Sequence, residues 1–253
     1  MSEIDVPESH PRYESLLTRH RIEAGVEKGI TSKQGLIAEG RGEAFDYLLG
    51  EQTTQSADRA ERAAAALLLL ADHPVLSVNG NAAALVPGEM IELASVVGAD
   101  IEVNLFNRTD ERMQAIVEHL REHDAAEAGV EIKGLTADAR IPGLDHERAK
   151  VDADGIGSAD VVLVPLEDGD RAEALAEMGK REIVIDLNPL SRSAQTATVP
   201  IIDNILRAVP NITEHARTLQ EASREKLETI VREFDRERAL AAAEDAIRSG
   251  TLE

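Results

Sequence analysis

The stretch Glu182-Ile183-Val184-Ile185-Asp186-Leu187-Asn188-Pro189-Leu190-Ser191-Arg192-Ser193-Ala194 is an apolar run that breaks into a polar loop. A second apolar run, Val199-Pro200-Ile201-Ile202, follows and ends in Asp203-Asn204. Acidic, amide, hydroxyl and guanidinium groups thus gather at strand ends. In an open α/β sheet, ligands sit outside the carboxyl ends of the strands. Asn188, Ser191, Arg192 and Ser193 offer hydrogen bonds and one fixed positive charge, a set that suits a nucleotide. A polar connection without a ligand has the same spacing, so both readings stand on this stretch alone.

Working back along the chain, the same grammar repeats. Val75-Leu76-Ser77-Val78 reads as a short buried strand, and Asn79-Gly80-Asn81 as the turn that ends it. Pro87 suits the first turn of a helix running to about Val97. Further strands are expected at Ile101 to Phe106, Val130 to Ile132, Asp160 to Pro165, Glu182 to Leu187 and Thr198 to Ile202. Between them lie a helix from Thr109 to about His123 and another from Asp168 to Met178. Thr109 can cap the first of these, with Asp110 and Glu111 at the positive end of its dipole. Pro142 to Gly157 reads as irregular, with room for a short helix. Strands alternating with helices imply right-handed crossovers and a mostly parallel sheet, and continuously apolar strands imply cover on both faces.

The flanks are helical. Residues 1 to 9 read as polar and loose; helical patterns follow from His10 to Gly29, Leu36 to Leu49 and Thr53 to Asp72. The compositional seam lies at His73-Pro74. After Asp203 the chain turns helical again, and Leu227, Ile230, Val231 and Phe234 form an i, i+3, i+4, i+7 stripe. That stripe either docks on the chain's own core or meets a second copy.

Composition narrows the function classes. The 253 residues are 43% hydrophobic, enough for one α/β domain with helical additions. Lacking cysteine, the chain has no disulfide, no thiolate metal site and no thiol nucleophile. No apolar run approaches the roughly 20 residues of a membrane span, and the N-terminus lacks the pattern of a secretory signal. These features point to a cytoplasmic protein without a membrane partner. Against 48 acidic residues stand only 27 basic ones, a net charge of −21, which repels nucleic acid. The acid excess is scattered over helix faces, as in proteins of salt-accumulating halophiles, where salt screens self-repulsion.

Three clusters invite chemistry. Asn79-Gly80-Asn81 lies where dinucleotide folds hold pyrophosphate, but the G-x-G-x-x-G spacing and the Walker A pattern are both absent. Asn107-Arg108-Thr109 sets an arginine beside helix N-terminal amides, a seat for phosphate or simply a capped surface arginine. In the helical N-terminal region of this acidic chain, Arg12, Arg19 and Arg41 stand out; Gly40 and Gly42 around Arg41 allow an unusual backbone, and their cost of roughly 1 kcal/mol each in a helix favours a function for Arg41 over a solvated arginine. His119 and His123 are four apart, but Arg121, Glu122 and Asp124 around them read as a solvated face rather than a metal site. No catalytic-triad order or G-x-S-x-G elbow appears.

Several segments resemble the archaeal phosphopantothenate synthetases, the 4-phosphopantoate–β-alanine ligases. They are Ser9-His10-Pro11-Arg12-Tyr13-Glu14-Ser15-Leu16, Gln34-Gly35-Leu36-Ile37-Ala38, Gly40-Arg41-Gly42-Glu43-Ala44-Phe45-Asp46-Tyr47-Leu48, Asn79-Gly80-Asn81 and Asp186-Leu187-Asn188-Pro189-Leu190-Ser191-Arg192. The resemblance spans about Ser9 to Arg207. It implies an α/β fold with a Rossmann-like, mostly parallel sheet flanked by helices, and a homodimer. The expected organisation is a helical region over 1–73, a Rossmann-like core over 74–210 and a helical extension over 211–253, together one compact unit. The implied activity is an ATP-dependent ligation of 4-phosphopantoate to β-alanine, giving 4'-phosphopantothenate, AMP and pyrophosphate, with Mg2+.

The resemblance carries ATP contacts onto Arg19, Arg41, Asp186, Leu187, Asn188, Arg192, Ser193, Asn204 and Ile205, with Asp203-Asn204 as the alternative for the last pair. Arg19, Arg41 and Arg192 are assigned to phosphate charge, and Arg41 and Arg192 are the catalytic candidates. Asp186 would serve ribose hydroxyls or a magnesium-bound water. Asn79, Asn81, Arg108 and Thr109 are the candidates for the phosphopantoate end. No protein metal ligand is assigned. Such a ligation needs guanidiniums to hold two anions together, and little covalent chemistry from side chains. Two other classes compete: a regulatory nucleotide binder on the same fold, and a nicotinamide-dependent enzyme, which the missing glycine fingerprint disfavours.

Overall fold

The computed structural model describes residue 7 and residues 9–10, 12–123 and 125–250. Most of the expected loose stretch over 1–9 lies outside the described residues, as do Pro11 and Asp124. Six parallel strands form the central sheet: β1 (Pro74–Val78), β2 (Asp100–Val103), β3 (Ile132–Lys133), β6 (Val161–Pro165), β7 (Arg181–Asp186) and β8 (Val199–Ile202). Their order is β3-β2-β1-β6-β7-β8, the order of a doubly wound, Rossmann-like sheet. A two-stranded antiparallel hairpin, β4 (Ala139–Arg140) with β5 (Lys150–Val151), inserts between β3 and β6. Its second strand, and a 3-10 turn over Glu147–Ala149, fall in the stretch read as irregular. Two-residue strands carry too little apolar periodicity to be read from sequence.

Successive residues of a strand point to opposite faces, and this sorts the core. Leu76, Val78, Ile101, Val103, Leu163 and Ile183 face a large cluster shared with α3 (Gln55–Leu70), α5 (Pro87–Val97), α6 (Asp110–Arg121) and α9 (Ile205–Leu219). Val75, Val162 and Val164 face the other way, onto the hairpin and α7 (Gly169–Glu177). The run Ala63-Ala64-Ala65-Ala66 in α3 is buried on every side, because small side chains let neighbouring helices approach closely.

Beyond β8 the chain forms α9, α10 (Arg224–Glu233) and α11 (Arg236–Ser249). Leu227 is buried in the main core, with Ile230, Val231 and Phe234 packed against it. The stripe therefore docks on the chain's own core; burial of Leu227 alone contributes roughly 1.5–3 kcal/mol. A third cluster joins Phe45 and Leu49 of α2 (Lys33–Leu49) to Ala194, Ile202, Leu240 and Ala243. Before α2 lies α1 (Tyr13–Glu27), whose Ile22 also enters the main core.

Two local expectations change. The Asn79-Gly80-Asn81 turn is the start of a helix, α4 (Gly80–Leu85), which precedes α5 directly. Gly40 and Gly42 lie inside the continuous helix α2, without positive φ, so the backbone there is ordinary helix, and Gly42 alone serves space. A Cβ on Gly42 would stand 3.2 Å from both Asn204 Nδ2 and Glu39 Oε1, whereas one on Gly40 would meet nothing within 4 Å.

Candidate functional site

The sheet reverses its winding between β1 and β6, and ligands of doubly wound folds bind in the crevice there. Asn79, just after β1, bridges that crevice. Its Oδ1 accepts from the backbone N–H groups of Asn81 and Ala82, both at 3.0 Å, and so caps α4. Its Nδ2 donates to the Pro165 carbonyl at the end of β6, at 2.9 Å. Both acceptor positions are taken, and one amide hydrogen remains for a ligand. Asn81 Nδ2 donates to the Gly35 carbonyl at 3.0 Å, fastening α2 beside the crevice. Gly80 is required by the chain's own backbone: a Cβ there would fall 2.4 Å from the Ile30 carbonyl oxygen.

Two adjoining cavities open along this edge. The narrower, about 70 Å³, is lined by Glu39, Arg41, Asn79, Asn81, Asp186 and Asn204 among others, and also touches Leu187, Asp203 and Ile205. The wider, about 530 Å³, lies between α1 and α2 and is lined by Arg12, Arg19, Glu39, Glu43, Asp46 and Arg207 among others. Leu166 also lines the narrow cavity with φ 54°, a left-handed conformation that costs a non-glycine residue roughly 1–3 kcal/mol and clusters at functional sites.

The guanidiniums around these cavities differ in their commitments. Arg19 pairs with Glu43, and Arg12 approaches the same carboxylate at 3.6 Å. That pairing holds the Glu43 carboxyl below its ordinary value. Arg207 bridges Asp203 at 2.6 Å and Asp46 at 2.7 Å. Arg192 pairs with Asp170 at 2.5 Å, outside the two linings, and packs over Gly169, where a Cβ would meet its side chain at 2.8 Å. Arg41 has no hydrogen-bond or ion-pair partner among the described residues and faces the narrow cavity.

Asp186 organises the loop after β7. It is 6% exposed, and it accepts from the backbone of Leu187 at 2.7 Å and Asn188 at 3.2 Å, and from the hydroxyls of Ser191 at 2.5 Å and Ser193 at 3.3 Å. Its oxygens are committed to its own loop. The Asn188 side chain accepts from Leu190 N at 3.0 Å, and Ser191 caps the short helix α8 (Arg192–Thr196). Asn204 likewise caps α9 and donates to Asp46 at 3.0 Å.

Arg108 and Thr109 stand apart from both linings, beyond the end of β2. Arg108 donates to the Gly134 carbonyl at 2.7 Å, and Thr109 caps α6 through the Arg112 amide. The face of His119 and His123 is only partly solvated: His119 is largely covered, its rings pack edge-to-face at 4.9 Å, and burial lowers its pKa.

The sequence reading named Asp203 only at the polar end of its strand and as the alternative partner of Asn204, and it missed Glu39, Asp46 and Arg207. Glu39 lines both cavities and has no hydrogen-bond partner among the described residues. Burial, then the charges of Asp46 and Glu43, push its carboxyl up to about 7. The i, i+4 spacing of Asp203 and Arg207 at a strand-to-helix junction was a visible signal. Its convergence with Asp46, more than 150 positions earlier, was not.

Sheet order, crevice and lining define a Rossmann-like α/β protein with a polar, charge-lined crevice at the switch point. The family model for phosphopantothenate/pantothenate synthetase matches residues 56–250. The 4-phosphopantoate–beta-alanine ligase of Thermococcus kodakarensis is 58% identical over 238 residues, covering 94% of this chain and 90% of the relative. Those of Methanosarcina mazei and Methanospirillum hungatei are 54% and 55% identical, covering 94% and 90% of this chain and 92% and 90% of their own lengths. The chain belongs to the phosphopantothenate/pantothenate synthetase family.

Proposed function

We propose that this chain is an ATP-dependent, amide-forming ligase that joins 4-phosphopantoate to β-alanine, yielding 4'-phosphopantothenate, AMP and pyrophosphate in coenzyme A biosynthesis. Similarity over nearly the whole chain to ligases of that name supports the reaction. The observation that carries the assignment to this crevice is Arg41, an uncommitted guanidinium facing the switch-point cavity while its neighbours are paired. The carboxylate of 4-phosphopantoate attacks the α-phosphorus of ATP and pyrophosphate leaves. The β-alanine amine then attacks the activated carbonyl, and AMP leaves with the C–O electron pair.

In this reading Arg41 holds phosphate charge at the narrow cavity, and Arg19 joins it from the wide one by exchanging Glu43 for a phosphate. Backbone groups of Leu187, Asn188 and Ile205 meet the nucleotide, with Asp186, Ser193 and Asn204 shaping those segments. Arg192 reaches the phosphates once released from Asp170. Asn79 offers its free amide hydrogen, Asn81 lines the same wall, and Arg108 and Thr109 serve 4-phosphopantoate from the β2 side. Mg2+ accompanies the ATP phosphates and offsets their charge. Glu39, which faces both cavities without a hydrogen-bond partner among the described residues, is the oxygen donor that would fit such a hard cation; burial and the charges of Asp46 and Glu43 push its carboxyl up to about 7, and a cation would offset those charges.

The enzyme works in the cytoplasm as a homodimer; among the described residues no helix is long and apolar enough to cross a membrane, and Ile37, Tyr47 and Leu48 of α2 stand exposed for a second copy. Its acid excess is an adaptation to high salt, so thermal stability rises from dilute buffer to molar KCl. The test of function is pyrophosphate and AMP release from ATP, Mg2+ and 4-phosphopantoate, with and without β-alanine, in high KCl. AMP formed in step with β-alanine consumption supports the reading; ATP binding without turnover replaces it with a regulatory binder.

A further inference from the structure

Three metal-ligating side chains converge between α3 and α9. Asp58 and Glu61 sit one turn apart on α3, and His215 lies on α9. One donor atom from each falls within 4.8 Å of the others. His215 Nε2 stands 2.9 Å from Asp58 Oδ1. A second observation comes from Glu61, which is 0% exposed. Its Oε2 accepts from Asn211 Nδ2 at 3.0 Å, but its Oε1 is buried without a hydrogen-bond partner among the described residues. An unmatched buried carboxylate oxygen is costly, and beside an imidazole and a second carboxylate it calls for a cation.

We propose that Asp58, Glu61 and His215 bind a zinc-class divalent cation that staples α3 to α9. An imidazole with two carboxylates suits Zn2+, Co2+ or Mn2+ rather than the all-oxygen preference of Mg2+ or Ca2+. Bonds of about 2.0–2.2 Å place tetrahedral ligand atoms about 3.3–3.6 Å apart, so the donors up to 4.8 Å apart close in by roughly 1 Å on binding, while the Asp58–His215 pair at 2.9 Å opens by roughly 0.5 Å as the cation replaces the proton between them. Asp58, whose side chain is 57% exposed, is free to make that movement, while Glu61 is the fixed floor. Water completes the fourth position from the open side. The floor is wired to the crevice: Asn211 Nδ2 also reaches Thr53 Oγ1 at 3.1 Å, and Thr53 donates to Asp203 at 2.6 Å, beside Arg207. The cation thus fixes the outer end of a polar chain whose inner end borders both cavities.

The test uses the full chain, stripped with chelator and dialysed into high KCl. Titration with Zn2+ is expected to show one equivalent bound and a raised melting temperature, and Co2+ to give the visible absorption of a tetrahedral site. His215→Ala and Asp58→Asn, both at the surface, are expected to keep the native circular dichroism and weaken Zn2+ affinity by about 100-fold or more, beyond the loss typical of outer-shell changes. The His215 imidazole resonance of the wild-type protein is expected to shift on adding one equivalent of Zn2+. Absence of stoichiometric binding, or equal Zn2+ affinity in His215→Ala, overturns the site. Neither readout depends on ligase turnover.

Discussion

Replacing Arg41 by alanine separates binding from folding unusually cleanly. Arg41 is exposed on α2 and has no partner among the described residues, so its removal orphans no carboxylate and leaves no cavity in the core. Folding free energy should therefore stay within about 0.5 kcal/mol of wild type. The guanidinium's worth to a phosphate is that of a charge-assisted hydrogen bond, about 1.5–3 kcal/mol. That range corresponds to a loss of about 10- to 150-fold in kcat/KM for ATP. In molar KCl the Debye length shrinks to about 3 Å, so the loss should fall toward the lower figure. Arg41→Lys keeps the charge but not the planar fork and should lie between. The assay is steady-state AMP formation at two KCl concentrations, paired with urea unfolding of the same preparations. Near wild-type kcat/KM in Arg41→Ala, at low salt and with unchanged unfolding, would refute the assignment of phosphate charge to this residue.

Two further outcomes follow from the crevice. Asn79→Ala removes the α4 cap, about 1 kcal/mol, and leaves the Pro165 carbonyl without its donor, about 1–3 kcal/mol, so a loss of about 2–4 kcal/mol should appear in urea unfolding. A change below about 0.5 kcal/mol would mean the bridge between β1 and β6 contributes nothing. Glu39 makes stability pH-dependent: its folded carboxyl titrates at about 7 against an ordinary 4.5, so the folded state holds a proton that the unfolded chain has already released. Stability should fall as pH rises from about 4.5 to about 7, and Glu39→Gln, measured with EDTA and no nucleotide, should flatten that fall by up to about 3 kcal/mol. An identical pH slope in the two proteins would show that Glu39 is not held protonated.

Much of the framework was legible because it rests on local rules. Continuous apolar runs at Val75–Val78, Val161–Val164 and Ile183–Ile185 announced buried parallel strands, and Thr54, Thr109 and Asn204 now cap helices where polar groups meet apolar periodicity. The motifs at Arg41, Asn79 and Asp186 were also visible, and the middle of α2 and the ends of β1 and β7 bring them to one crevice. At Gly40 and Gly42 the sequence shows that a side chain is missing but not whether backbone freedom or empty space requires it; the fold shows helical backbone at both and a crowded neighbour at Gly42 alone.

By itself the sequence determined the order of elements, the parallel sheet and the family, since these follow from periodicity and short motifs that need no distant partner. Only the tertiary structure decided which charges are spent. Arg19, Arg41, Arg192 and Arg207 look alike in the chain, yet three meet carboxylates and one does not. Likewise Glu61 and His215, 154 positions apart, become neighbours only when α3 packs on α9. Coulomb energy and desolvation depend on distance in space, and the folded chain alone sets that distance.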